Sequence, residues 1–305
     1  MHVGLVTQAL VKSVLQMHID VELASEYMYS DPVIDEDTLV IAVSQSGETV
    51  DTLEAVKYAK ARGAKCMAVL NVRGSSISRI CDYVLYTEAG PEIAVASTKA
   101  YTTQLAVMFI LIAKMAQLRG SMTEEEIRVF MTELQKVPEK MSDILNRRNE
   151  IHVIAKEVLE AKDLFMIGRG LDYSILLEGS LKLKEVSYIH SEAYASGELK
   201  HGPIALITEG IPVVALVTQS RIMSKELSNI KEVKARGANV VLFIKEELRA
   251  QLKEDYNVIT LPDLEDKFMV FPSVVALQLL AYYVSSDKGF DVDKPRNLAK
   301  VVTVE

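Results

Sequence analysis

Residues Leu39–Ala64 read LVIAVSQSGETVDTLEAVKYAKARGA, and residues Val213–Ala238 read VVALVTQSRIMSKELSNIKEVKARGA. Laid over one another without a gap, at an offset of 174 residues, Gln45 meets Gln219, Ser46 meets Ser220 and Leu53 meets Leu227. Lys60-Ala61-Arg62-Gly63-Ala64 meets Lys234-Ala235-Arg236-Gly237-Ala238 in the same register, and further on Gln104-Leu105 meets Gln278-Leu279. Solenoid repeats have periods of about 20–50 residues, so this longer period marks a duplicated domain. Leu39–Val43 is an apolar, β-branched run, followed by a helical stretch at Thr49–Arg62, a strand at Lys65–Leu70 and another at Tyr83–Thr87. Continuously apolar strands separated by helices pair in parallel and are covered on both faces. The pattern predicts an α/β fold of two duplicated, doubly wound parallel-sheet domains, each a three-layer αβα sandwich.

The expected organisation is a first domain at residues 1–121, a charged, helix-prone connector at 122–157 interrupted by Pro138, a second domain at 158–290 and a tail at 291–305. Two long helices, Ala100–Gln117 and Ser273–Ser285, close the copies. The second copy opens on DLFMIGRG (Asp163–Gly170), a strand running into a glycine turn before a helix near Asp172. In the first copy the matching helix starts almost at Met1, so a strand and its turn are expected upstream.

With 305 residues, 49% hydrophobic and 25% charged, the chain has the composition of a globular protein. Its net charge of −8 leaves no basic excess for nucleic acid or an anionic membrane surface. Cys66 and Cys81 lack CxxC spacing and read as reduced thiols. The apolar run Leu105–Ala113 is cut by Lys114, well short of the about 20 residues that span a bilayer, and Met1 leads no signal-peptide pattern. The cytoplasm is the expected location.

Ser44-Gln45-Ser46-Gly47-Glu48-Thr49 joins a buried strand to a helix. Hydroxyls, a glycine and the open N–H groups of a helix start suit a phosphate, although Ser and Thr at such a place also serve as plain caps. In the second copy Gly47, Glu48 and Thr49 become Arg221, Ile222 and Met223, and ligand binding is expected to be lost. Ser97-Thr98-Lys99 opens a further helix. Neither GxxxxGK[ST] nor a strand-to-helix GxGxxG occurs, which argues against nucleotides and for a small phosphate ester.

In Ile175–Ile189, ILLEGSLKLKEVSYI, helical periodicity puts Glu178, Lys182, Glu185 and Ile189 on one stripe. Ser180, Lys184 and Ser187 fall on the opposite face. Such a stripe is either a solvated ion-pair face or one directed into a site. Apolar neighbours (Leu177, Leu181, Val186, Tyr188) favour the second and would partly desolvate Glu185, suiting it to proton abstraction. His201, on a glycine-flanked loop, is the candidate catalytic histidine. The five histidines form no HxH or HExxH, so no metal and no cofactor is expected.

Four strings, SQSGETVDTL from Ser44, ASTKAYTTQL from Ala96, LEGSLKLKEVSYIHSEAYASGELKHGP from Leu177 and DVDKPRNLAKVVTVE from Asp291, resemble the sugar isomerase (SIS) domain family, and within it the isomerase part of the glucosamine-6-phosphate synthases. The resemblance implies that Ser44, Gln45, Ser46 and Thr49 hold a sugar phosphate, with Val95 and Ser97 near the sugar. It makes Glu185 the base between C1 and C2, with Glu178 and Lys182 supporting the proton relay. His201 would assist ring opening from the neighbouring subunit of a homodimer, and Lys300 would meet the open-chain ketose, as a Schiff base. The substrate implied is fructose 6-phosphate and the product glucosamine 6-phosphate. The family's leading glutaminase domain, which supplies ammonia, and its first strand with a threonine–serine loop have no match in this chain. A non-catalytic sugar-phosphate sensor, or an isomerase of another phosphosugar, is the alternative; Glu185, His201 and Lys300 together speak against a sensor, which needs only the phosphate loop.

Overall fold

The computed structural model describes residues 1–300. The chain divides into two compact units: Met1, residues 3–127 and the segment from Arg296 form the first, and His2 with residues 128–295 the second.

The chain begins with α1 (His2–Leu10), which apart from His2 belongs to the first unit and continues into a π-helical turn (Val11–Leu15), followed by the short α2 (Ala24–Tyr27). A β/α series follows: β1 (Leu39–Val43), α3 (Val50–Ala61), β2 (Lys65–Leu70), α4 (Ser76–Ile80), β3 (Tyr83–Tyr86) and the long α5 (Lys99–Arg119). The three strands run parallel in the order β1-β2-β3, with Ala42 beside Ala68 and Val69 beside Leu85. Alternate residues of β2 (Cys66, Ala68, Leu70) bury against Val56 and Ala59 of α3 and Ile77 of α4. Small side chains at these points let helix and sheet approach closely. Gly120, at φ +68°, ends α5 in the left-handed conformation that glycine adopts without strain.

Next come α6 (Glu124–Asn146) and α7 (Arg148–Ala155). Pro138 does not interrupt α6, contrary to the expectation from sequence. Proline removes one backbone donor and crowds the preceding turn, but Phe130, Val137 and Ile144 recur every seventh residue on one buried stripe, and packing on that stripe carries the helix through. The second sheet is built from β4 (Asp163–Gly168), α8 (Leu171–Ser187), β5 (His190–Ala195), β6 (Pro212–Val217), α9 (Met223–Lys234), β7 (Asn239–Lys245), the short α10 (Glu246–Arg249), β8 (Asn257–Leu261) and α11 (Val270–Asp287). Its parallel order is β5-β4-β6-β7-β8.

Val213, Ala215 and Val217 of β6 pack with Met223, Ile230 and Val233 of α9, while Val214 and Leu216, pointing the other way, are equally buried. Both faces of this sheet are therefore covered, each enclosed Val or Leu contributing about 1.5–3 kcal/mol of apolar burial. The 174-residue offset pairs β1 with β6, β2 with β7 and β3 with β8; β4 has no counterpart within the chain. At β4 the chain turns outward first to β5 and then to β6. In open α/β sheets the carboxyl ends at such a reversal are where ligands sit.

Two segments, α5 and residues 266–287, are long and apolar enough to cross a bilayer by length and composition alone. Residues 266–287 are mostly buried inside the protein and α5 is half buried, as core helices of α/β units are.

Candidate active site

In the first unit, β1 ends at Val43 and the loop of residues 44–49 leads into α3. The Ser44 hydroxyl accepts the Gly47 N–H at 3.1 Å, and the Ser46 hydroxyl accepts the Glu48 N–H at 3.2 Å. Ser44 and Thr49 hydroxyl oxygens lie 3.4 Å apart. Backbone bonds from Asn71 to Gln45 and from Ile77 to Gly47, both 3.1 Å, tie the loop to the end of β2 and to α4. Gly47 has φ +69°, and a Cβ placed there would fall 2.2 Å from the Ser75 hydroxyl. That hydroxyl is buried and has no hydrogen-bond partner. Thr49, at the N-cap of α3, makes no side-chain capping bond, so the positive end of α3 is not spent on the protein's own side chain there. The loop thus brings Ser44, Gln45, Ser46 and Thr49 together around a helix start, an arrangement suited to an anion.

The same unit joins Ser97 to Lys300: the Lys300 ammonium donates to the Ala94 carbonyl and stands 3.4 Å from the Ser97 hydroxyl. Val95 lies between them on the chain. Sequence reasoning passed over Glu92, whose carboxylate accepts the Thr98 and Ala100 N–H groups at 3.3 and 2.9 Å and fixes the start of α5. An acid a few residues ahead of an apolar helix was the available signal.

In the second unit, α8 carries Glu178, Lys182 and Glu185 on one side. Lys182 Nζ lies 2.5 Å from Glu185 Oε2 and 3.5 Å from Glu178 Oε1. Glu178 is 5% exposed and Lys182 6%, so this ion pair is not the solvated face that such spacing usually makes. Burial raises the Glu178 carboxyl, but the hydrogen bond from His2, 2.7 Å away, and the charge of Lys182 outweigh it and hold the group below its usual range. Ile189 leaves the stripe, because Tyr188 turns left-handed (φ +61°) and ends the helix at Ser187. The opposite face is not polar surface either: Ser180 and Ser187 are buried, Ser180 bonding the Ser191 carbonyl at 2.8 Å and Ser187 the Leu183 carbonyl at 2.7 Å. Only Lys184 of that group reaches solvent.

His201 ends a short 3-10 turn (Leu199–His201) and is exposed. Among the described residues no group of three or more His, Cys, Asp or Glu is placed to hold a metal ion. Burial pushes the Cys81 thiol up to about 11, which leaves it a poor nucleophile at neutral pH.

A family model described as the SIS domain matches residues 1–114 and 157–285. The chain is 52% identical over 304 residues to a glutamine–fructose-6-phosphate aminotransferase (isomerizing) of Clostridium tetani, and 46% identical over 304 residues to the enzyme of that name from Methanosarcina acetivorans. Each match covers all of this chain and 50% or 49% of the relative; the chain spans about half the length of the curated relatives it matches. Among solved structures, the C-terminal domain of glucosamine-fructose-6-phosphate aminotransferase from Francisella tularensis superposes with a TM-score of 0.93 at 39% identity, covering 96% of this chain and 84% of that one. A glucosamine-6-phosphate deaminase from Thermotoga maritima matches with a TM-score of 0.79 at 25% identity, covering 99% and 86%.

Proposed function

Since the chain belongs to the SIS-domain family, we propose that it carries out the isomerase part of amino-sugar biosynthesis, converting fructose 6-phosphate and ammonia to glucosamine 6-phosphate with a separate glutaminase domain as the source of ammonia. The observation that carries this reading is the Glu178–Lys182–Glu185 cluster: a carboxylate held 2.5 Å from an ammonium that is itself buried on α8. A sugar-binding protein needs no such pair.

Ser44, Gln45, Ser46 and Thr49 hold the phosphate, the start of α3 supplying positive potential where the net charge of the chain supplies none. Val95 and Ser97 line the sugar. Lys300 meets the open-chain carbonyl, its amine adding to C2 as a Schiff base that ammonia then displaces. Glu185 removes a proton from C1 of the fructosimine and returns it to C2 through an enolamine, so no net proton is consumed. Lys182 pairs with Glu185 and fixes its position, and Glu178 orients Lys182. His201 assists ring opening, reaching the site of a neighbouring subunit in a homodimer. The cytoplasm is the proposed location.

The test is Glu185→Gln. Isomerisation of fructose 6-phosphate to glucose 6-phosphate, followed without ammonia, should fall by about 10³-fold, the scale of a lost general base, while sugar-phosphate binding persists. Unchanged turnover would discard the assignment. Borohydride reduction in the presence of fructose 6-phosphate should attach sugar at Lys300, and labelling at another lysine would remove that role.

A further inference from the structure

Glu226 of α9 has no role in the site described above, yet it is 2% exposed and lies between Ser196, just past β5, and Arg169, just past β4. Its Oε1 accepts the Ser196 hydroxyl at 2.6 Å. Its Oε2 is buried without a hydrogen-bond donor, 3.8 Å from Arg169 Nε. Arg169 in turn donates from Nε and Nη2 to Asn229 Oδ1, one helical turn along α9, at 3.1 and 2.8 Å. The Gly197 backbone lies so close to this guanidinium that a Cβ on it would come within 2.6 Å of Nη2. The Ser196 N–H donates to the Gly168 carbonyl at 2.9 Å. Residues 196 and 197 are therefore held from the end of β4, by Arg169 and by α9 together. His201 stands a few residues further along, its N–H bonded to the Glu198 carbonyl at 3.0 Å.

We infer that Glu226 and Arg169 are positioning residues: they clamp Ser196 and Gly197, and through them set the direction in which the segment 198–201 presents His201. The inference rests on the reading of His201 as the ring-opening group. The clamp is electrically adjustable. Burial pushes Glu226 up to about 7, against the Ser196 bond and the Arg169 charge, which act to lower it. The other acid facing it, Asp172 at the start of α8, is pushed up to about 8 by its own burial despite the hydrogen bonds from Thr218. As pH falls through about 7, Glu226 takes up a proton, its attraction for Arg169 is lost, and the hold on Ser196 weakens from a charge-assisted to a neutral hydrogen bond.

The decisive experiment is amide hydrogen exchange of the whole chain, expressed as protection relative to intrinsic rates, for wild type, Glu226→Gln and Ser196→Ala at pH 6 and pH 8. At pH 8, Glu226→Gln should lower protection across residues 196–201 by about tenfold, and Ser196→Ala by several-fold. Wild type should show the same loss between pH 8 and pH 6, and Glu226→Gln should be flat over that range. Protection of β6 serves as the control that the unit is folded. Equal protection of 196–201 in wild type and Glu226→Gln overturns the proposal whatever the turnover; so does a pH dependence that survives in Glu226→Gln. Lowered protection with unchanged turnover would leave the clamp in place and instead remove His201 from the chemistry, so the two readings fail separately.

Discussion

The loops at Ser44–Thr49 and Thr218–Met223 occupy the same place in the repeat and share their Gln-Ser core, yet their donors are spent in opposite ways. In the first, serine hydroxyls accept from the loop's own N–H groups. In the second, Asp172 takes both the N–H and the hydroxyl of Thr218, and Asp266 takes the N–H of Ser220 at 2.7 Å and its hydroxyl at 2.9 Å. Lys245, almost fully buried, lies 3.0 Å from Asp266 and 2.6 Å from Glu247. The second loop holds carboxylates where the first is proposed to take a phosphate. On that reading, a duplicated loop keeps its fold while acids of the same chain take up its donors. The repeat adds a further contrast: the offset pairs Asp266 with Glu92, which caps α5 instead.

The largest effect should come from Gly47→Ala. A side chain at φ +69° and 2.2 Å from Ser75 forces the loop open; we expect sugar-phosphate affinity to drop by about 100-fold or more, with about 1–3 kcal/mol lost in urea unfolding. Arg221→Ala, at the matching position of the second loop, should change neither, and equal effects at the two sites would erase the comparison. Next in size is Asp266→Ala, which removes one of the two counter-ions of a buried ammonium. It should destabilise the second unit by about 2–3 kcal/mol and leave sugar-phosphate binding intact, whereas Ser46→Ala should weaken binding by about tenfold and leave the urea midpoint where it was.

A further contrast is one of pH, and its sign differs between the loops. Asp172 titrates near 8 when folded and near its ordinary carboxylate value when unfolded. Between those values the folded unit holds the extra proton, so its stability falls as pH rises from about 4 to about 8. Glu48 is held below its usual range by hydrogen bonds from Ser76, so its contribution is present above the unfolded value and lost as pH falls through the folded one. Unfolding followed separately by probes in each unit should show slopes of opposite sign, and Asp172→Asn should reduce the slope of only the second, the part due to Glu226 remaining.

How much of this was legible depends on how far apart in the chain the interacting residues lie. Strands β1 and β2 have the ends expected from apolar runs bounded by turn residues, and β3 is one residue shorter than expected. The Glu178–Lys182–Glu185 stripe follows from helical period alone. Pro138 misled, because its local cost is outweighed by a buried stripe that only the packed helix reveals. The carboxylates that close the second loop were invisible for a stronger reason: Asp172 and Asp266 each reach it from about 46 residues away, and nothing local to Thr218 or Ser220 marks an acid as neighbour. Lys300 is unremarkable by composition, and its meeting with Ser97 bridges most of the chain.

That last contact sets an order of events during synthesis. The first unit takes in residues 3–127 and the segment from Arg296, so of the two units the one that leaves the ribosome earlier is the later to be finished. A nascent chain can fold β1, β2 and the loop of residues 44–49 while the second unit is still being made, yet it has no amine beside Ser97 until Lys300 has emerged. On the roles proposed above, a chain that stops short of Lys300 would keep the loop of residues 44–49 and lack the amine beside Ser97, and is expected to hold sugar phosphates without processing them.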